Sequence, residues 1–260
     1  MSQAPLHVES VGVGPPLVLL HGWAMHSGVW GPLVPRLARR YRVHAVDLPG
    51  HGRSPPPPAF TLDAVAAALD NVFAAEERVI VLGWSLGGLL AMRWALAVPA
   101  RIARLALVAT SPRFVAGDDW PHAMTLQTLT RFGDELGVDW KHTVLRFLTL
   151  QMRGSEHGHA LLATLRARLD ERGEPDRQTL ADALSVIAGT DLRGEVPALA
   201  PATLVISGGR DTLAWPAAGE WLAGARAAAS FARIDGAAHL PFLSHPDDFH
   251  AALDGFLEGR

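Results

Sequence analysis

The feature that most restricts the fold is the segment VIVLGWSLGGLLAMRWAL, residues 79–96, in which an apolar run passes directly into a helix-like run. The first part has the continuous β-branched and leucine pattern of a strand buried on both faces, and the second is typical of a helix that stops at Pro99. Between them lies the pattern Gly83-x-Ser85-x-Gly87. A tight strand-to-helix turn needs these glycines and would hold Ser85 above the sheet as a nucleophile. Considered alone, the pentapeptide also fits a plain glycine-rich turn.

The rest of the chain alternates between short apolar runs and segments with helical spacing. Strand patterns lie within 15–22, 41–54, 78–83, 102–110, 202–211 and 229–239, where 41–54 is a strand that ends in a glycine-rich loop and the strand within 202–211 covers 202–209. Helices are predicted at 61–77, 86–98, 215–225 and 246–258. This alternation predicts an α/β fold, with a mostly parallel central sheet covered by helices on both faces.

Residues 112–190 interrupt the alternation, because they contain no convincing strand. They show four helical segments, around 121–132, 139–152, 158–171 and 176–188. We therefore predict a single domain over residues 1–260, in which 112–190 form a helical lid inserted between core segments 1–111 and 191–260. Ligands of such folds bind at the carboxyl ends of the strands, so the lid would cover the site.

Composition excludes several classes of function. The chain has no cysteine, which excludes disulfides, thiol nucleophiles and cysteine zinc sites. A net charge of −3 gives no overall attraction to nucleic acid or anionic membranes. No apolar run approaches a membrane span, and MSQAPLHVES lacks the pattern of a secretory signal. We expect a cytoplasmic monomer that uses no metal or cofactor.

A serine nucleophile needs a base, and the base needs a carboxylate that orients it. His239 and Asp211 each follow a predicted strand, in IDGAAHLPFLSHP and SGGRDTLAWP, so the carboxyl edge of the sheet would bring both to Ser85. The order Ser85, Asp211, His239 is that of α/β-hydrolases. Weaker alternatives are His245 for the base and Asp191 or Asp235 for the carboxylate.

A serine nucleophile that attacks a carbonyl carbon also needs two N–H donors for the oxyanion. The amide of Leu86 opens a helix, where the helix dipole favours an anion. Trp23 follows His21-Gly22 at the end of the first buried strand, and its amide is the second candidate. We expect His21 itself to be buried and hydrogen-bonded, with no part in proton transfer.

The loop VDLPGHGRS, residues 46–54, brings Asp47, His51 and Arg53 close together in the sequence. We expect Asp47 and Arg53 to hold the loop by hydrogen bonds. A metal or phosphate site is the alternative.

Several segments together resemble those of the α/β-hydrolase superfamily: LVLLHGW, VDLPGHGRS, LGWSLGG, GGRD and AAHLPFLSHP. ATSPRFVAGDDWP, TVLRFLTLQ and TDLR extend the likeness into the predicted lid and its edges, and there the chain resembles the pimeloyl-acyl carrier protein methyl ester esterase family of biotin synthesis. The resemblance implies hydrolysis of the methyl ester of pimeloyl-acyl carrier protein by a serine triad.

The same resemblance implies roles for individual residues. Ser85, Asp211 and His239 fall on the triad, and Trp23 and Leu86 on the oxyanion positions. The implied substrate contacts are Trp23, Ser85, Leu86, Phe147, Leu148, Thr149, Leu150, Gln151 and His239. From the residues alone, the segment FLTLQ fits a wall for an acyl chain, or equally plain packing of the lid on the body.

The predicted lid is basic within an acidic protein. Residues 140–169 carry five lysine or arginine residues and one acid, Glu156. Such a surface would steer an acidic carrier protein, although a solvated helical face has the same composition. The candidate docking residues are Lys141, Arg146, Arg153 and Arg166. Arg146 falls on a family arginine, whereas His142, His159 and Ala163 stand where the family carries further arginines, so the docking footprint departs from the family pattern.

Two other functions remain compatible with the sequence. A general short-chain carboxylesterase or a C–C bond hydrolase would use the same triad on another substrate. A binding protein with the hydrolase fold and vestigial chemistry would leave Ser85 unreactive. Hydrolases with an aspartate nucleophile are disfavoured because a serine stands at the turn.

Overall fold

The computed structural model describes residues 5–155, 158–169 and 171–259, including the side chains of all of these except residues 159 and 160. The strands are β1 Val8–Val11, β2 Pro16–Leu20, β3 Arg42–Val46, β4 Val79–Trp84, β5 Ile102–Val108, β6 Ala202–Gly208 and β7 Ala229–Ile234. They form one sheet in the order β1-β3-β2-β4-β5-β6-β7. Only the pairing of β1 with β3 is antiparallel among these strands. The predicted fold class is confirmed.

The helices are α1 Val34–Leu37, α2 Leu62–Val72, α3 Leu86–Ala97, α4 Leu126–Val138, α5 Trp140–Gln151, α6 Gly158–Leu169, α7 Arg177–Gly189, α8 Pro216–Gly224, α9 Pro241–Ser244 and α10 Pro246–Leu257. Helix α3 packs on β4 and β5, and α8 and α10 pack on β6 and β7. Thr61, Thr125, Asp139 and Asp176 cap α2, α4, α5 and α7, each accepting a hydrogen bond from the main-chain N–H three residues later.

The strand predicted at the start of 41–54 ends at Val46, and the predicted glycine-rich loop follows it, with Gly50 at a φ of 69°. One strand boundary differs from the prediction, and one strand was not predicted. The strand expected at 229–239 ends at Ile234, just before Gly236, whose φ is 79°. Strand β1 was not predicted, since it is largely exposed and lacks an apolar run.

Helices α4–α7 lie between β5 and β6, in the segment 112–190 that the sequence predicts as an insertion. Helix α4 begins at Leu126, later than the predicted 121–132, because Thr125 provides its cap. The preceding residues form neither a helix nor a strand, and they contain isolated bridges between Val115 and Met124 and between Gly117 and Trp120. Within the insertion, α4 packs on α5 and α7, and α5 packs on α6.

The turn from β4 into α3 has no room for a side chain at either flanking glycine. A Cβ on Gly87 would lie against the main-chain oxygen of Leu20 and 2.6 Å from that of His21. A Cβ on Gly83 would meet the carbonyl of Gly87 itself. Because the obstructing atoms belong to the main chain, they cannot move aside. Gly87 therefore fixes how closely α3 approaches β2, and Gly83 fixes how closely the first turn of α3 approaches β4.

Gly87→Ala should lower the free energy of unfolding by about 3 kcal/mol or more, since overpacking against main-chain atoms is at the costly end of its range. The control is Gly133→Ala in α4, where an added Cβ meets nothing within 4 Å. That variant should gain about 0.5–1 kcal/mol from its better helix propensity. Urea unfolding measures both, and equal effects of the two substitutions would contradict the packing argument.

Candidate active site

Ser85 lies at the strand-to-helix turn in a backbone conformation that side chains rarely adopt. Its φ is 56° and its ψ is −118°. Its N–H donates to Val108 O at 3.0 Å, and its carbonyl accepts a hydrogen bond of 2.8 Å from Thr110 Oγ1. A strained residue of this kind costs about 1–3 kcal/mol and persists only where its surroundings hold it. Here β5 and the residues after it hold the turn.

A continuous chain of hydrogen bonds joins Ser85 to two buried side chains from other strands. Ser85 Oγ lies 3.0 Å from His239 Nε2, and His239 Nδ1 lies 2.7 Å from Asp211 Oδ2. Asp211 follows β6 and His239 follows β7, so both come from the carboxyl edge of the sheet. The structure thus brings together the three residues that the sequence predicts as a triad.

The carboxylate and the imidazole are each held by further contacts. Asp211 Oδ1 accepts hydrogen bonds from the N–H groups of Leu213 at 2.8 Å and Ala214 at 3.1 Å. The carbonyl of His239 accepts a bond of 2.8 Å from Trp84 Nε1. Sequence reasoning did not assign this role to Trp84, and it had no signal for it because the acceptor is a main-chain atom.

The alternative residues have other partners. His245 Nδ1 lies 2.9 Å from Ser244 Oγ. Asp191 pairs with Arg193 at 2.7 Å, and Asp235 pairs with Arg233 at 2.8 Å. The hydrogen bonds of Ser85 and His239 therefore favour the predicted set over these rivals.

The His21-Gly22-Trp23 turn packs directly beside Ser85. A Cβ built on Gly22 would lie 3.2 Å from Ser85 Cβ. His21 Nδ1 donates to Gly22 O at 2.8 Å, and its Nε2 accepts from the N–H of Leu48 at 2.9 Å. Burial lowers the pKa of His21, so it stays neutral. It is the buried structural histidine that the sequence predicts.

The two predicted oxyanion donors, the main-chain N–H groups of Leu86 and Trp23, belong to the residues that directly follow Ser85 and Gly22. Leu86 is the first residue of α3, and its N–H belongs to the first turn, whose amides have no partner within the helix. The N–H of Trp23 follows Gly22 in the neighbouring turn. The indole of Trp23 is fixed separately, since its Nε1 donates to Leu180 O in α7 at 2.9 Å.

The loop after β3 is held by hydrogen bonds, as the sequence predicts for Asp47. This buried carboxylate accepts the N–H groups of Ser27 at 2.7 Å and Arg53 at 2.9 Å. The Arg53 side chain reaches Glu9 instead, at 3.3 Å. Among the described residues no group of three or more His, Asp or Glu side chains could hold a metal ion. In the same residues no helix is long and apolar enough to cross a membrane.

The predicted substrate segment of α5 presents two different faces. Phe147, Leu148 and Gln151 are buried, whereas Thr149 is exposed and Leu150 half-buried. The Phe147 ring meets the Trp23 ring edge-on, with 4.8 Å between centroids. The main chain of Gln151 contacts His239, and its buried Oε1 has no hydrogen-bond partner among the described residues. The segment thus reaches the site through one face only.

The other face of α5 lines a groove of about 690 Å³ between α4, α5 and α6. Its lining includes Arg131, Phe132, Arg146, Leu150, Arg153 and Leu162. Of the four candidate docking residues, Arg146 and Arg153 line this groove. Lys141 and Arg166 are exposed elsewhere on α5 and α6. Glu156, the one acid in the basic stretch, lies outside the described residues.

Arg146 is already engaged within the groove. It pairs with Glu135 Oε2 at 2.5 Å and lies over the Phe132 ring, 4.9 Å from its centroid. Glu135 also pairs with Arg131 at 2.8 Å, and these arginines hold its pKa below the usual range. The groove is therefore apolar with a basic rim that one carboxylate partly neutralises.

Comparisons with known proteins identify the same fold. The family described as alpha/beta hydrolase fold matches residues 15–246. A hydrolase from Pseudomonas aeruginosa PA01 superimposes with a TM-score of 0.81 at 28% identity, covering 97% of this chain and 94% of that one. An esterase from Exiguobacterium antarcticum shares the fold, with a TM-score of 0.89 at 22% identity over 97% of this chain and 95% of its own.

Curated relatives cover nearly the whole chain. One from Stenotrophomonas maltophilia is 43% identical over 98% of this chain and 97% of its own length. One from Xanthomonas campestris pv. campestris is 45% identical over 97% and 98% respectively. Both are named pimeloyl-acyl-carrier protein methyl ester esterase. The chain belongs to the alpha/beta hydrolases and, among them, to the family of the pimeloyl-acyl-carrier protein methyl ester esterases.

Proposed function

We propose that the protein is a serine carboxylesterase that hydrolyses the methyl ester of pimeloyl-acyl carrier protein, in biotin biosynthesis. The observation that carries the chemistry is the buried hydrogen-bonded chain from Ser85 Oγ through His239 to Asp211. The substrate is that of the curated relatives, which match this chain nearly end to end.

In the first half of the reaction, Ser85 Oγ attacks the ester carbonyl carbon while His239 Nε2 takes the hydroxyl proton. Asp211 accepts the Nδ1–H, which holds the reactive tautomer and stabilises the imidazolium. The carbonyl oxygen becomes an oxyanion, and the amides of Trp23 and Leu86 are its proposed donors. The imidazolium then protonates the methoxy oxygen, methanol leaves, and the acyl group stays on Ser85.

In the second half, water attacks the acyl carbon while His239 accepts one of its protons. The second oxyanion collapses, the proton passes to Ser85 Oγ, and the pimeloyl carboxylate leaves with its bond to the carrier intact. Loss of one oxyanion donor typically lowers kcat by about 10²–10³-fold. The strained conformation of Ser85 is consistent with a nucleophile held ready for both steps.

We propose that α4–α7 act as a lid and that the inner face of α5 forms one wall of the acyl site. Phe147 packs against Trp23, whose amide is a proposed oxyanion donor, so the apolar wall adjoins the reacting carbonyl. Trp23 is also bonded to α7, which links the wall to the insertion. Gln151 adds a buried amide oxygen that a polar group of the substrate or a water would satisfy.

The proposed partner is an acyl carrier protein that docks on the basic rim of the α4–α6 groove. Arg146 and Arg153 line it, and Lys141 and Arg166 extend the positive surface along α5 and α6. Complementary charge of this kind raises the encounter rate more than the final affinity. One chain supplies all three proposed catalytic side chains, so the chemistry needs no second copy, and we propose a monomer. It places the enzyme in the cytoplasm, where carrier-bound acyl chains are made.

A general short-chain carboxylesterase is the second candidate. It is favoured by the departure at His142 and Ala163, which replace expected arginines of the lid. The two candidates share every step at Ser85 and differ only in whether the carrier protein contributes to recognition.

Ser85→Ala should lower hydrolysis of pimeloyl-acyl carrier protein methyl ester by at least about 10³-fold, because alanine lacks the hydroxyl that forms the acyl-enzyme. Mass spectrometry of the carrier reports loss of the methyl group, and a fluorophosphonate probe reports labelling of Ser85. The control is Ser185→Ala, an exposed serine of α7 that should keep full activity. A folded Ser85→Ala protein with wild-type turnover would refute the mechanism. Wild type that neither turns over nor labels would indicate a binding protein instead.

Arg153→Glu should lower kcat/KM for the carrier-bound ester about 5- to 20-fold at low salt, through a slower encounter, and leave a small free methyl ester unaffected. Added salt should shrink the difference, because 0.1 M salt screens exposed charges beyond about 10 Å. The control is Arg177→Glu at the start of α7, which pairs with Glu174 outside the groove. Equal activity of Arg153→Glu and wild type on both substrates would favour the general esterase.

A further inference from the structure

The last turn of α5 and the residues just after it form hydrogen bonds with two loops, one that carries His239 and one that carries Asp211. A helix leaves its last carbonyls without partners inside the helix, so each needs one elsewhere. The carbonyls of Thr149 and Leu150 accept the N–H groups of Met152 and Arg153, both at 3.2 Å. The carbonyl of Gln151 instead accepts a hydrogen bond of 3.2 Å from the N–H of His239, which lies outside the insertion.

With this hydrogen bond, both the N–H and the carbonyl of His239 have a partner. On one side Gln151 O holds its N–H, and on the other Trp84 Nε1 holds its carbonyl at 2.8 Å. Gln151 and His239 are 2% and 1% exposed, so water cannot readily replace the lid contact. A buried N–H left without an acceptor is strongly unfavourable. Helix α5 therefore cannot shift away without either moving His239 or leaving its amide unpaired.

A second contact ties the same turn to the Asp211 loop. Arg210 directly precedes Asp211, and its guanidinium donates to Gly154 O at 2.9 Å. Its main-chain N–H donates to Ala237 O at 2.8 Å, in the loop that leads to His239. Arg210 thus joins three segments: the turn after α5, the Asp211 loop and the His239 loop.

We propose that the turn formed by residues 151–155 is a positioning element for the reaction and that Arg210, which is hydrogen-bonded to it, is a positioning residue. The main-chain bonds of the turn set the distance from His239 Nε2 to Ser85 Oγ, and this role is separate from any contact of the Gln151 side chain with the substrate. The inference rests on the proposed esterase function, because it requires His239 to be the base. It adds that the seating of the insertion on the body controls how fast Ser85 is acylated.

Two glycines of the insertion provide a matched test. Gly154 has φ 81° and Gly173 has φ 84°, and neither has an atom closer than 3.6 Å to an added Cβ. Alanine at either position is strained by its left-handed backbone to a similar extent, so the shift in Tm should be similar. Only the turn at Gly154 carries the bonds to His239 and Arg210.

We expect Gly154→Ala to lower kcat on a small methyl ester by about three- to tenfold with KM nearly unchanged, because small displacements of a catalytic group reduce rate strongly. The rate at which a small fluorophosphonate labels Ser85 should fall by the same factor. Gly173→Ala should match wild type in both measurements. Arg210→Ala should behave like Gly154→Ala, and Arg210→Lys, which keeps a cationic donor, should recover most of the lost rate.

The outcomes separate the two proposals. Wild type that fails to label at Ser85 overturns the esterase function and this inference with it. If wild type labels and turns over, but Gly154→Ala and Gly173→Ala change kcat equally or not at all, the positioning role alone is overturned. Loss of rate in Arg210→Ala that Arg210→Lys does not recover also overturns the role of Arg210.

Discussion

The left-handed backbone of Ser85 is the constraint around which the site is built. A residue at φ 56° between a buried strand and a helix needs neighbours that leave no alternative. Gly87 lets α3 approach β2 at main-chain contact, and Gly83 lets the first turn of α3 approach β4 in the same way. Because β2 and β5 flank β4 in the sheet, the same packing places Gly22 against Ser85 and anchors Ser85 to Val108 and Thr110.

Much of this could be predicted from the sequence, for a physical reason. Strands buried on both faces are mostly apolar, so β4 and β6 stand out as largely apolar runs with a glycine at or next to their end. Polar residues placed just after such runs collect at one edge of a parallel sheet. Asp211 and His239 do so, and the structure joins them to Ser85 by hydrogen bonds. Burial and strand order together therefore carry most of the information about the site.

What the sequence did not reveal lies in contacts without a side-chain pattern. Strand β1 is largely exposed, so no apolar run marks it. The bonds from Trp84 to His239 O and from His239 N–H to Gln151 O end on main-chain atoms, which every residue has. The separation of α5 into a buried face and an exposed face, by contrast, could have been predicted from the helical period of the sequence. A period of 3.6 residues places 147, 148 and 151 on one face and separates them from Thr149.

The two faces of α5 make different contacts. Its inner face meets Trp23 and His239, and its outer face lines the basic groove. In that groove Arg146 already pairs with Glu135, so a carboxylate of a carrier protein would exchange with Glu135 rather than meet an unpaired guanidinium. If the carrier protein docks as proposed, such an exchange would add little net affinity, whereas the positive rim would still accelerate encounter. This balance would suit a carrier protein that must arrive, react and leave in every cycle, because tight docking would slow its release.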